Sequence, residues 1–359
     1  MNKARIIQFT PSISFGDAVS NDIIAMSEVL TEMGYENYIV AIGIAPKVRR
    51  RAVPLDSFKP RKTDVFIYHM SIGSMLSDYI MSNAAAVKIM VYHNITPPHF
   101  WGNMEALKQM CIDGRTQLRQ LVPHISLAIC DSEYNREELL GLGYKNTVVL
   151  PIMFDREEYA RVVPSQKILR KYSDGVTNIL FVGRIAPNKR QEDIIRSFAC
   201  YNRSINANSR LLLVGTALGM ESYKAAIEEF VSEHAIPNVI FSGHVSFSDI
   251  AAYYRTASVF LCESEHEGFC VPLLEAMCFD VPIVAYAVCA VDGTLGSSGL
   301  KFYEKDHRLI AELINSLETN AELREDVLIS QRKRLEDFDI AKTRVDFCGI
   351  IKAVMENIG

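Results

Sequence analysis

FVGRIAPNKRQEDIIRSF, residues 181–198, holds a strand, a loop and a helix in sequence. The apolar run reads as a strand ending at Gly183, where glycine permits a tight turn. Arg184 and Lys189 lie five apart on the loop that leads into the helix. Arginine offers phosphate oxygens a planar fork; lysine offers a mobile point charge. Together they suit a diphosphate and its stabilisation as a leaving group. Taken alone, the two residues also fit a solvated basic loop. Arg190 next to them reads as a surface residue.

The same unit recurs along the chain. Strands are expected at ARIIQF, NYIVAI, DVFIYH, VKIMVYH, LAICD and NTVVLP, then at TNILFVG, RLLLVG, NVIFSG, SVFLCES and VPIVAY. Helical stretches lie between them, such as 20–34, which stops at Gly34. Continuous apolar strands alternating with amphipathic helices predict an α/β fold with parallel sheets covered on both faces. Residues 151–175 are polar, contain Pro151 and Pro164, and read as a linker. Two such series imply two doubly wound domains facing a cleft, with ligands beyond the carboxyl ends of the strands. The stretch DIAKTRVDFCGIIKAVMEN reads as a last amphipathic helix.

Composition narrows the classes. A chain of 359 residues favours two domains. Apolar residues make up 49% and charged ones 23%, as in ordinary globular proteins. A net charge of −5 argues against nucleic acid as main partner. No signal peptide is expected at the N-terminus, and no 18-residue apolar run predicts a membrane span. The eight cysteines include no CxxC pair and read as thiols in a reducing cytoplasm, with Cys262, Cys270 and Cys278 as core fillers. No clustered metal ligands are seen; His93 and His99, six apart on a proline-rich loop, lack matching carboxylates.

EHEGFCVPLLEAM, residues 265–277, is the second informative stretch. Glu267 and Glu275 lie eight apart around a Gly-Phe turn, and Pro272 stands where a helix would begin. The unpaired amides and the positive dipole end of such a helix suit an anion. The carboxylates suit hydroxyl donors. The combination fits a sugar nucleotide. Glu265 reads as peripheral, His266 as a packed or exposed loop histidine rather than one facing the cleft, and Glu275 also fits an ordinary acid of the first helical turn.

GRIAPNK followed by EGFCVPLLEAM resembles the retaining glycosyltransferases of the GT-B fold, glycosyltransferase family four. The likeness is close over about residues 178–290 and looser before them. It implies that Arg184 and Lys189 contact the donor diphosphate and that Glu267 lies by the transferred sugar. Backbone amides of Gly268, Phe269, Cys270 and Val271 would meet sugar and phosphate, and Glu275 the ribose. The turn of Gly243, His244 and Val245 would border the base. Gly215 would end a strand where a side chain obstructs the donor, or is a simple turn glycine. The family often has glycine at the Cys270 position and Pro-Glu where Asp292-Gly293 stands here.

In the first half, the resemblance places Gly16 and Asp17 on a loop over donor phosphates and acceptor; Asp17 equally reads as a helix cap. His93, at a strand end, would hydrogen-bond the transferred sugar. His99, Phe100 and Trp101 line an acceptor pocket or anchor their loop. Ser132 reads as a helix cap. Lys47, Arg49, Arg50, Arg51, Lys59, Arg61 and Lys62 form a basic run that suits anionic headgroups, a lipid-diphosphate acceptor, or solvent. The expected division is 1–165 for the acceptor-side domain, joined by a helix at about 339–359, and 166–338 for the donor domain.

The expected activity is transfer of a hexose-type sugar from a UDP- or GDP-sugar to a hydroxyl of a glycan or glycolipid, with retention. No cofactor or metal is called for, since the two cations neutralise the diphosphate. The expected location is the cytoplasm, with peripheral contact to the inner membrane face; cell-surface polysaccharide assembly is implied by the resemblance alone. A phosphorylase or sugar-nucleotide epimerase of the same architecture, a dehydrogenase lacking its GxGxxG fingerprint, and a non-catalytic binding protein are the rivals.

Overall fold

The structure is a computed structural model and describes residues 5–14 and 16–356. The chain divides into two compact units, one from residues 1–154 and 338–359, the other from 155–337. The boundary therefore falls before Asp155, not after residue 165. The segment expected as a linker carries two short helices, Arg156–Arg161 and Gln166–Tyr172. The first belongs with the second unit because Tyr159 bonds Glu275.

Unit one is built on seven strands: β1 (Ile6–Ile13), β2 (Asn37–Ile44), β3 (Val53–Pro54), β4 (Val65–Met70), β5 (Val87–Tyr92), β6 (Leu127–Cys130) and β7 (Thr147–Val149). They pair in parallel in the order β3-β2-β1-β4-β5-β6-β7. The order reverses between β1 and β4, which opens a crevice at their carboxyl ends. β4 is buried at every position, which explains its unbroken apolar run. On one face Met26, Val29 and Leu30 of helix Ala18–Glu32 meet Ile6, Val65 and Ile89 of the strands. Phe347 and Ile351 of the last helix, Ile340–Glu356, complete the same cluster. Arg344 of that helix pairs with Glu32.

Unit two holds six parallel strands: β8 (Thr177–Val182), β9 (Ser209–Val214), β10 (Val239–Gly243), β11 (Val259–Cys262), β12 (Ile283–Tyr286) and β13 (Leu300–Phe302). Their order is β10-β9-β8-β11-β12-β13, so the switch point lies between β8 and β11. Ile194, Ile195 and Phe198 of helix Gln191–Ser204 pack on Ile179, Leu211 and Leu213, and Ile310 and Ile314 of helix His307–Thr319 join them. Every expected strand is present. β3 and β13 are additional, short strands at sheet edges. No helix among the described residues is long and apolar enough to cross a membrane, and no cysteine forms a disulfide.

Candidate functional site

The switch point of unit two brings the two informative stretches together. β8 ends at Val182 and releases the loop of Arg184 and Lys189. β11, its neighbour, ends at Cys262 and releases the loop of Glu267. Residues 78 positions apart in sequence thus meet, and the Lys189 ammonium lies 2.5 Å from the Glu267 carboxylate. Their side chains are 21% and 8% exposed. Burial works against the Lys189 charge, but the adjacent Glu267 carboxylate outweighs it and holds the ammonium above its ordinary pKa. Arg184 is exposed, and its guanidinium has no ion-pair partner among the described residues.

Asn188 joins the loops. Its side chain donates to the His266 carbonyl at 3.0 Å, and its own carbonyl accepts from the Glu265 amide at 2.9 Å. Arg190 adopts a left-handed conformation, with φ of 52°, at the start of helix Gln191–Ser204. It is not a solvated surface residue: it pairs with Glu192, Asp193 and Glu265, and Lys305 bridges Asp193 and Glu265 at 2.8 Å each. Glu265 thus braces the site from outside.

Helix Val271–Cys278 follows the Glu267 loop, with Pro272 in its first turn. Cys270 is its N-cap, at φ 76° and ψ 64°, and gives no side-chain cap bond. This left-handed geometry suits glycine, so cysteine here carries backbone strain. Phe269 is buried, and its carbonyl accepts from the Thr294 hydroxyl at 2.6 Å. Gly268 and Val271 are partly exposed. Glu275 lies a turn further on; its two carboxylate oxygens accept from Tyr159 at 2.8 Å and Tyr254 at 2.7 Å. Burial raises its pKa, and the two tyrosine hydroxyls counter part of that rise. Tyr159 and Tyr254 are residues that the sequence reading missed.

Three consecutive strand ends carry glycines at positive φ: Gly183, Gly215 and Gly243. The role expected for Gly215 changes. A Cβ there would lie 2.0 Å from the Gly183 carbonyl oxygen, so glycine is required by backbone approach within the sheet. Gly215→Ala is expected to destabilise the protein by about 3 kcal/mol or more, read as a lowered denaturant midpoint at unchanged slope. A midpoint within error of the parent would refute that reading. His244 is exposed and Val245 partly exposed beyond Gly243.

In unit one, Asp17 caps helix Ala18–Glu32: its carboxylate accepts from the Ser20 amide at 3.0 Å and hydroxyl at 2.8 Å. Gly16 has φ of 83° and open space where a Cβ would be. Ser132 caps helix Glu133–Gly141, as expected. Trp101 does not line an open pocket: it is 3% exposed and its indole N–H meets the Cys111 sulfur at 3.0 Å, anchoring the loop. His99 is exposed, and its ring lies tilted against Phe100 with centroids 4.3 Å apart. Beside this loop a hollow of about 600 Å³ is lined by Pro97, Pro98, Arg115, Tyr134, Glu137 and Glu138. The basic run lies exposed around the β2–β3 edge, with Arg51 paired to Glu28.

His93 stands at the end of β5, but both its ring nitrogens are engaged. Nδ1 lies 2.8 Å from Asp131 Oδ2, and Nε2 lies 3.0 Å from Nδ1 of His69. His69 Nε2 in turn faces the Gln8 carbonyl oxygen at 2.9 Å, while the Gln8 amide nitrogen donates to Ile23. The chain has one consistent proton order. Gln8 can only accept there, so His69 Nε2 donates; His69 Nδ1 then accepts, and His93 Nε2 donates. Burial keeps His69 neutral. Burial also opposes charge on His93, yet Asp131 outweighs it and raises the pKa. The expected ring contact from His93 to a sugar is therefore not what this arrangement offers. His69, Asp131 and Asp22 around it were not singled out from sequence.

Residues 167–334 match the family model Glycosyl transferases group 1. The capsular polysaccharide biosynthesis glycosyltransferase CapM of Staphylococcus aureus is 27% identical over 236 residues, 65% of this chain and 60% of that protein. A GDP-mannose-dependent alpha-mannosyltransferase of Mycolicibacterium smegmatis is 31% identical over 112 residues, 31% of this chain and 26% of the relative. The matches thus span less than two thirds of either relative. Anabaena HepE, solved with UDP and glucose, superposes with a TM-score of 0.75 at 16% identity, over 97% of this chain and 99% of its own. Residues 167–334, most of unit two, are thus similar to glycosyltransferases of group 1, and the two Rossmann-like units make the fold GT-B.

Proposed function

We propose that the protein is a retaining glycosyltransferase of family four that moves a hexose-type sugar from a UDP- or GDP-sugar to a hydroxyl of a glycan or glycolipid. The reading rests on one observation above all: the Lys189–Glu267 pair at the β8/β11 switch point, beside the exposed Arg184 and a helix start without a side-chain cap. Arg184 and Lys189 would bind the diphosphate and stabilise its charge as the glycosidic bond breaks. Glu267 orients Lys189 and sits where a sugar hydroxyl would donate. The Gly268–Val271 backbone would hold sugar and phosphate, Glu275 the ribose, and the glycine floor with His244 and Val245 the base. No side chain here is a ready covalent nucleophile, so the leaving phosphate oxygen would take the acceptor proton on the same face. This donor chemistry calls for no metal.

Unit one is assigned the acceptor, with Asp17, His99 and the hollow at Arg115 and Tyr134 as its contacts. The exposed basic edge suits an anionic membrane surface, which supports peripheral attachment at the cytoplasmic face and a role in polysaccharide assembly. A thermal-shift series with UDP, GDP and their sugar conjugates, without added metal, tests the donor site. One nucleotide family is expected to raise the melting temperature, because a ligand of the native state must do so. No shift at saturating concentration would overturn the reading. Binding without turnover on any hydroxyl acceptor would indicate a scaffold, and dependence on inorganic phosphate a phosphorylase.

A further inference from the structure

We propose that Asp22, His93 and Asp131 form a binding site for a divalent transition-metal ion in unit one, separate from the donor chemistry. A carboxylate oxygen of Asp22, one of Asp131 and a ring nitrogen of His93 lie within 4.8 Å of one another, and all three residues are buried. They come from the helix after β1 and the ends of β5 and β6, so the sheet itself sets their spacing.

Two further observations point to a ligand. Asp22 is fully buried; its Oδ1 accepts from the Met153 amide at 2.8 Å, while Oδ2 has no hydrogen-bond partner among the described residues. A buried carboxylate oxygen left in this state is costly unless a proton or a cation meets it. The second observation is the proton order already derived. His93 Nε2 is committed as donor to His69, and His69 to Gln8. That leaves Nδ1 as the nitrogen facing the carboxylates, with its other N–H fixed from behind, the arrangement by which metal-binding imidazoles are oriented.

The ion takes the place of the proton on Nδ1, which leaves to solvent. Two carboxylates and a neutral imidazole then balance a double positive charge. One nitrogen with two oxygens, plus water, suits zinc or manganese better than magnesium.

The test uses the full chain, stripped with a chelator and dialysed, then titrated calorimetrically with Zn²⁺, Mn²⁺ and Mg²⁺. The expected result is one Zn²⁺ or Mn²⁺ per chain, a raised melting temperature, and heat that varies with buffer ionisation as the proton is released. Asp22→Asn keeps the acceptor for Met153, and with Asp131→Asn is expected to weaken binding at least about tenfold. Absence of binding to the parent, or unchanged affinity in both variants, overturns the site. Should the variants fail to fold, the Co²⁺ spectrum of the parent chain decides. Bands of a nitrogen–oxygen set support the site; thiolate charge-transfer absorption places the ion on cysteine and overturns it.

Discussion

Lys189→Ala is expected to lower turnover about a hundredfold to a thousandfold, the range seen when a group aimed at developing charge is removed. It should also lower stability, because Glu267 is 8% exposed and would be left without its cation. Breaking a buried pair costs roughly 3–5 kcal/mol, and the partial exposure of Lys189 puts this case toward the lower end. Glu267→Gln keeps an acceptor for Lys189 and removes the negative charge. Turnover should fall comparably, while the fold holds. The double variant Lys189→Ala with Glu267→Gln separates the two effects. It should recover much of the stability lost in Lys189→Ala and none of the turnover. Steady-state kinetics and denaturant melts on all three decide the matter; normal turnover in both single variants sinks the site assignment.

The second large effect is on stability alone. Glu263 follows β11 directly and is fully buried; among the described residues neither carboxylate oxygen has a hydrogen-bond partner at normal distance, and His307 Nδ1 stands 4.0 Å from Oε2. Burial pushes its pKa up to about 8, with Ser197 and Lys305 offsetting only part of the rise. Below the ordinary value of 4.5, folded and unfolded chains both hold the proton and the ionisation of Glu263 contributes nothing to the stability difference. As pH rises from there, the unfolded chain releases the proton and the folded one keeps it. Stability falls by up to about 1.4 kcal/mol per pH unit until the folded pKa is passed. Glu263→Gln removes this dependence. The variant should match the parent near pH 4.5 and melt several degrees higher at pH 8. Equal melting temperatures across that range would show that Glu263 is solvated or paired.

Much of the fold was legible because buried parallel strands write themselves as unbroken apolar runs. β3 and β13 were not, being two and three residues long, with Pro54 in one and Lys301 in the other. Helix Arg156–Arg161 is short and polar, and its place is set by the Tyr159–Glu275 bond across 116 positions. No local pattern signals that. The cations and acids of unit two were readable because the loops of Arg184, Lys189 and Glu267 leave strand ends and Glu275 lies on the helix that follows. Their pairing needed the strand order, which sequence spacing does not carry. Trp101 shows the limit of residue type as a guide: an aromatic on a proline-rich loop fits a pocket wall, yet Cys111 holds it inside. The Asp22, His69, His93 and Asp131 group spans 109 positions, and only the sheet assembles it.

Phe347 and Ile351 close the core of unit one against Met26, Val29 and Leu30, more than three hundred positions earlier. The whole of unit two is spelled out between these partners. During synthesis, unit two can complete its own core while the first sheet still lacks the helix that covers this face. That sheet must wait with apolar surface uncovered, and for the long interval needed to make the intervening residues. Contacts of such sequence separation also form late and slowly in refolding. The final helix is thus a late seal, and the first unit is the one exposed to aggregation until it arrives.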